Sequence, residues 1–117
     1  MVDRRSRGIE GEDLAVDHLE QLGYTIHKRN YRFHRGEIDI IAQDGDTLVF
    51  VEVKTRGSGA FGEPEEAVTI HKSSQIRKIA RGYLFERKIN DRECRFDVIA
   101  VDVVDGRPVI RHIENAF

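Results

Sequence analysis

The 117-residue chain is poor in cysteine and has no long apolar run, and both shortages narrow what it is. One cysteine, Cys94, excludes an internal disulfide framework and fits a reducing compartment, so the sequence points to the cytoplasm. No stretch approaches the roughly 18 apolar residues that span a bilayer. The basic start, Met1 to Arg7, is not followed by an apolar signal core. The five histidines (His18, His27, His34, His71, His112) are scattered, and beside a single cysteine they offer no zinc spacing. Internal repeats, low-complexity stretches and an interdomain linker are missing too. Residues 1–117 therefore read as one domain, a length that buries a substantial core.

Charge is plentiful, at 34% of residues, and it is sorted along the chain despite a net charge of only −2. Ile9 to Gly23 holds five acids and no Lys or Arg, whereas Tyr24 to Gly36 holds Lys28, Arg29, Arg32 and Arg35 and no acid. Glu37 to Glu66 has eight acids against Lys54 and Arg56; Ile70 to Arg95 has eight bases against Glu86, Asp91 and Glu93. An acidic centre between basic blocks suits a metal-dependent enzyme acting on a polyanion, although an ion-paired solubilising surface gives the same count. Of the 19 basic residues 14 are Arg, whose planar fork suits phosphate.

Helical spacing of Ile9, Leu14, Ala15, Leu19 and Leu22 predicts a helix over Ser6 to Leu22, stopped by Gly23. Strands are expected at Tyr24–Lys28, Glu37–Ala42 and Thr47–Thr55, with a hairpin turn at Asp44-Gly45. A glycine-rich loop, Arg56 to Gly62, leads to a second amphipathic helix, Thr69–Glu86, that buries Ile76, Ile79, Ala80, Tyr83 and Leu84. Arg95–Val104 and Pro108–Ile113 complete the set as strands joined at Asp105-Gly106. The order αβββαββ implies an α/β fold with a mixed sheet, because the connection through the second helix permits a parallel crossover.

The segment GEIDIIAQDGDTLVFVEVKTR, Gly36 to Arg56, carries the chemistry. Alternation puts Glu52 and Lys54 on one face with Leu48 and Phe50, while Val49, Val51 and Val53 face a core. A turn at Asp44-Gly45 sets Asp39 opposite Phe50 and Glu37 opposite Glu52, with Asp39 a diagonal neighbour of Glu52 at about 7–8 Å. Two carboxylates that close suit a hard divalent cation, Mg²⁺ or Mn²⁺, which takes its other ligands from water and phosphate. Lys54 then orients or deprotonates a water, or stabilises charge on a phosphorane. A solvated strand face, with Lys54 neutralising acids, is the plainer alternative. Glu12, at the border of the first helix's apolar stripe, reads from spacing alone as an acid compensating the helix dipole. Lys72, Gln75 and Arg77 open the second helix, where phosphate contact and simple exposure compete. Tyr24, Tyr31 and Phe33, interleaved with Arg29, Arg32 and Arg35, suit stacking on nucleic acid, with Tyr24 the more core-like. Arg95 and Asp97 read as the charged entry to a buried strand.

Asp, spacer and Glu-x-Lys on the next strand resembles the PD-(D/E)XK nuclease active site. The strings GEDLAVDHLEQLGY, RNYR, GEIDIIA, LVFVEVKTR and RFDVIAV resemble, over essentially the whole chain, the YraN-type family of small bacterial proteins. That family is related to archaeal Holliday-junction resolvases. The resemblance implies a restriction-endonuclease-like fold and a Mg²⁺-dependent endonuclease that hydrolyses DNA, including branched or structured DNA. It implies Asp39, Glu52 and the Val53 carbonyl as metal ligands, Lys54 as the catalytic lysine and Glu12 as an additional acid. A DNA-binding module without turnover, acting through partners, keeps the same fold. A resolvase-like enzyme implies two sites and hence a homodimer, yet no long exposed apolar stripe marks an interface. The string formed by Gly57, Gly59 and Gly62 mimics a dinucleotide loop, but the charged strand before it and the helical pattern near Gly82 argue against one.

Overall fold

The computed structural model describes residues 4–56 and 70–117, with side chains from 10 to 56 and from 72 to 117. The elements are α1 (Arg4–Gln21), β1 (Thr25–Phe33), β2 (Gly36–Asp44), β3 (Thr47–Arg56), α2 (Ile70–Glu86), β4 (Cys94–Val104) and β5 (Arg107–Ile113). The five strands form one mixed sheet in the order β1-β2-β3-β4-β5. All pairs are antiparallel except β3–β4, which is parallel. That pair flanks the chain segment containing α2, as a parallel connection requires.

The alternation along β3 divides the core into two layers. Val49 and Val51 pack with Ala15 and Leu19 of α1, while Leu48 and Phe50 pack with Ile76, Ile79, Ala80 and Tyr83 of α2. One helix thus covers each face; Leu14, Ala15 and Leu19 of α1 and the expected α2 residues make their apolar contacts, while the Ile9 side chain lies outside the described residues. α1 ends at Gln21, one residue before the expected Leu22, and the chain turns out of it at Gly23, whose φ of 92° is one that only glycine adopts freely. The amides of Gly23 and Tyr24 return to the carbonyls of Glu20 and Leu19, which satisfies the last turn. Leu22, read as part of the apolar stripe, is 55% exposed because the helix has already ended at Gln21.

Three expectations need correction. β1 runs nine residues, through the basic segment, rather than stopping at Lys28. A register shift between Ile26 and Lys28 and a positive φ at Asn30 interrupt the period of two, so the strand's length is masked in the sequence. His27 is consequently an exposed strand residue, bonded to Gln43. The β2–β3 turn is Gly45-Asp46, one residue later than expected, since Asp44 pairs with Thr47. Glycine takes the first loop position with φ of 60°, the arrangement of a type II′ turn. Phe50 therefore lies opposite Ile41 rather than Asp39, and the β2–β3 register ends at Ile40↔Val51, one residue short of Asp39 and Glu52. Glu37 does not oppose Glu52; it pairs across β1 with Arg32. The loop remains two residues long, so the faces of β3 are as expected. Gly57, Gly59 and Gly62 lie outside the described residues.

Candidate active site

Glu12 reaches the sheet because α1 presses unusually close to the end of β3. A Cβ added to Gly11 would stand 2.0 Å from Thr55 Oγ1, so this contact admits only glycine without a shift. Gly11→Ala is expected to cost about 1–3 kcal/mol through overpacking, despite alanine's better helix propensity. Thr55→Ala in the same chain should restore most of that loss in chemical denaturation; no recovery would place the strain elsewhere. Glu12 is 8% exposed. Its Oε1 accepts hydrogen bonds from Arg29 Nε and Asn30 Nδ2, both at 3.0 Å. The positive φ of Asn30 turns this β1 residue toward α1, so a backbone irregularity supplies a partner that sequence spacing did not reveal.

Asp39 stands where β2 and β3 part. Its neighbours Ile38 and Ile40 belong to opposite layers, so strict alternation breaks at this residue. Its Oδ2 accepts the amide of Val53, two residues past the last β2–β3 pair, at 2.8 Å. Among the described residues this amide is its one hydrogen-bond partner. Burial, together with the charge of Glu52 and more weakly of Glu12 and Glu37, pushes the Asp39 carboxyl up to about 8, against the opposing pull of the Val53 amide. The four acids therefore share one electrostatic environment.

Glu52 is also 8% exposed, and its Oε1 meets Lys72 Nζ of α2 at 2.5 Å. Lys54 follows on the same face of β3, one alternation or about 7 Å further on. Among the described residues it makes no hydrogen bond or ion pair. The described residues contain no cluster of three or more His, Cys, Asp or Glu side chains arranged to hold a metal. Two carboxylates, a backbone carbonyl and water or phosphate oxygens are nonetheless a donor set that suits Mg²⁺.

The residues expected at a nucleic-acid surface divide into committed and available groups. Arg29 is held by Glu12 and Asp13, Arg32 by Glu37 and Lys72 by Glu52. Arg77 lies over the Phe96 ring, 4.5 Å from its centroid. Arg35, in the β1–β2 turn, and Gln75, on α2, are exposed and make no hydrogen bond or ion pair among the described residues. Tyr24 and Tyr31 are buried, only 7% and 6% exposed, leaving Phe33 as the member of that aromatic set with accessible surface.

Asp97 pairs with Val51 of β3, next to the Glu52↔Val98 pair, and is fully buried. Arg95, His112 Nε2 and the Asn115 amide surround it, and the Arg95 fork also reaches Asp44 and the Tyr24 hydroxyl. The expected structural role of Arg95 and Asp97 is what this geometry provides. No helix among the described residues is long and apolar enough to cross a membrane.

Comparison with known proteins gives a family without an assigned activity. Residues 11–101 match the model described as "Uncharacterised protein family UPF0102". A UPF0102 protein of Alkaliphilus oremlandii is 52% identical over 112 residues, covering 94% of this chain and 96% of its own. A UPF0102 protein of Geobacter sulfurreducens is 50% identical over 111 residues, covering 94% and 87%. One from Chlorobaculum tepidum is 51% identical over 116 residues, covering 94% and 90%.

Proposed function

The chain belongs to the uncharacterised protein family UPF0102, and from that starting point we propose that it is a divalent-metal-dependent endonuclease hydrolysing DNA phosphodiester bonds. One observation carries the reading: Asp39 is a partly buried acid in the field of Glu52 and Glu12, and its Oδ2 accepts the Val53 amide. A site built that way is stabilised by a cation and strained without one. Asp39, Glu52 and the Val53 carbonyl would hold Mg²⁺ or Mn²⁺, which supplies Lewis acidity toward a phosphoryl oxygen. Lys54, with no carboxylate partner among the described residues, stabilises the charge that builds on phosphate as water adds to phosphorus and one ester P–O bond breaks. Glu12, held by Arg29 and Asn30, fixes the acidic wall on the α1 side.

A second reading, a DNA-binding module without turnover, draws on Lys72. Its ammonium already neutralises Glu52 and would have to yield for a metal to bind.

Metal binding separates the two. Saturating Mg²⁺ is expected to raise the melting temperature of wild type, by the equivalent of about 2.7 kcal/mol at a hundredfold excess over Kd. Asp39→Asn and Glu52→Gln should lose most of that rise. Equal rises in all three proteins would remove the metal site from this position. The metal-free proteins offer a second check with a definite sign. Asp39 ionises near 3.8 when unfolded and near 8 when folded. Wild type should therefore lose stability as pH climbs between those values, the loss being complete above the upper one. Asp39→Asn escapes this and is expected to be more stable than wild type above that range in EDTA.

A further inference from the structure

An open cleft of about 350 Å³ lies between the β1–β2 turn and the outer side of α2, lined by Phe33, His34, Arg35, Gln75, Lys78 and Ile79. Glycines at two positions make it. A Cβ on Gly36 would sit 2.3 Å from Ile79 Cδ1, and one on Gly82 would fall within 2.9 Å of three atoms of the Phe33 ring. The turn and the helix therefore approach closely enough to hold the Phe33 ring against α2. His34 stands across that ring, edge to face, with centroids 4.4 Å apart. The floor is thus apolar and partly aromatic, while the rim carries Arg35, Lys78 and the Gln75 amide. None of these three makes a hydrogen bond or ion pair among the described residues, in contrast to Arg29, Arg32 and Lys72.

We propose that this cleft is a subsite for one unpaired nucleotide of a DNA strand, so that the protein prefers DNA with a single-stranded element beside the duplex. The inference refines the substrate class of the nuclease reading and rests on it for its biological sense. Phe33 offers a stacking surface, which serves any base and which a base inside an intact duplex cannot reach. Gln75 presents a donor and an acceptor suited to a base edge. Arg35 and Lys78 are placed for the flanking phosphates. The volume matches the lower end of small-molecule sites, roughly 300–1,000 Å³. Location supports the assignment as well. Gly36 precedes Asp39 by three strand residues, or about 10 Å, and Gln75 is one helical turn beyond Lys72, which touches Glu52. That offset corresponds to roughly three base steps from the carboxylates.

The test is fluorescence anisotropy in EDTA with a blunt duplex and the same duplex carrying a short single-stranded tail. Wild type should bind the tailed DNA about tenfold more tightly. Phe33→Leu, which keeps an apolar floor without an aromatic face, should lose most of the preference, as should Lys78→Ala on the rim. Lys54→Ala should retain it. Equal affinity of wild type for the two DNAs would overturn the subsite, as would a preference unchanged in Phe33→Leu. Displacement of the tailed DNA by a poly-glutamate peptide as readily as by an oligonucleotide would overturn it too, since charge alone would then suffice. Because binding is read without metal, a protein that prefers tails but never cuts keeps the subsite and loses the nuclease reading. One that cuts with metal but shows no preference does the reverse.

Discussion

Lys54→Ala is expected to cut DNA at least about a hundredfold more slowly than wild type while binding it almost as tightly. The separation follows from where the charges are. Lys54 sits on β3 beside the acids, where a single ammonium acts on charge that develops only during reaction. Affinity comes from counterion release at the available basic groups, such as Arg35 and Lys78, and should fall steeply with salt. Arg29→Ala tests a different contact, because it frees Glu12 from one of its two partners among the described residues and so perturbs the acidic wall. Cleavage by Lys54→Ala at the wild-type rate would assign the activity to another site or to a contaminant.

The largest expected stability loss is at Asp97, outside the candidate site. Its carboxylate is fully buried and accepts hydrogen bonds from Arg95 and from the Asn115 amide, with His112 at 2.8 Å. Removing it leaves the Arg95 guanidinium, only 14% exposed, without its principal counter-charge. Asp97→Ala is expected to cost about 3–5 kcal/mol in denaturant unfolding, the usual result of breaking one side of a buried pair. A loss below 1 kcal/mol would mean that Asp44 and Glu114 replace it. Burial pushes the Asp97 carboxyl up, but its bonds to His112, Arg95 and Asn115 outweigh that and hold it below the usual range. Its contribution is therefore full above the unfolded carboxylate value and disappears as pH falls through the lower folded one. His18, 3.2 Å from His112, is pulled below 6.5 by burial and then by the His112 charge, so acid also destabilises this cluster through an imidazole.

Much of this was readable from residue order, and the failures share a cause. The apolar periods of α2 and β3 were strong and uninterrupted, so both were placed to within one residue, as was the Asp105-Gly106 turn, where both loop residues take positive φ. β1 was cut short because its shifted register and the left-handed Asn30 interrupt alternation. The hairpin turn slipped by one because Asp-Gly and Gly-Asp both satisfy a two-residue loop, and only the fold selects which position takes positive φ. Asp39 was picked out by the charge pattern, but its place at the parting of two strands depends on a break in β2 that no period announces. The pairing of Lys72 with Glu52 and the approach of Gly11 to Thr55 join residues 20 and 44 positions apart. Contacts of that kind emerge only once the layers pack.

The central claim is that the Asp39–Glu52 pair and Lys54 form a metal-dependent phosphodiesterase centre. Its most direct test is incubation of wild type, Glu52→Gln and Lys54→Ala with linear, single-stranded, tailed and four-way-junction DNA in Mg²⁺, Mn²⁺ or EDTA. Wild type should cleave at least one of these substrates with metal and none in EDTA, and both variants should be inert under every condition. Wild type that binds these DNAs yet cuts none of them with either metal would contradict the claim and leave a binding module.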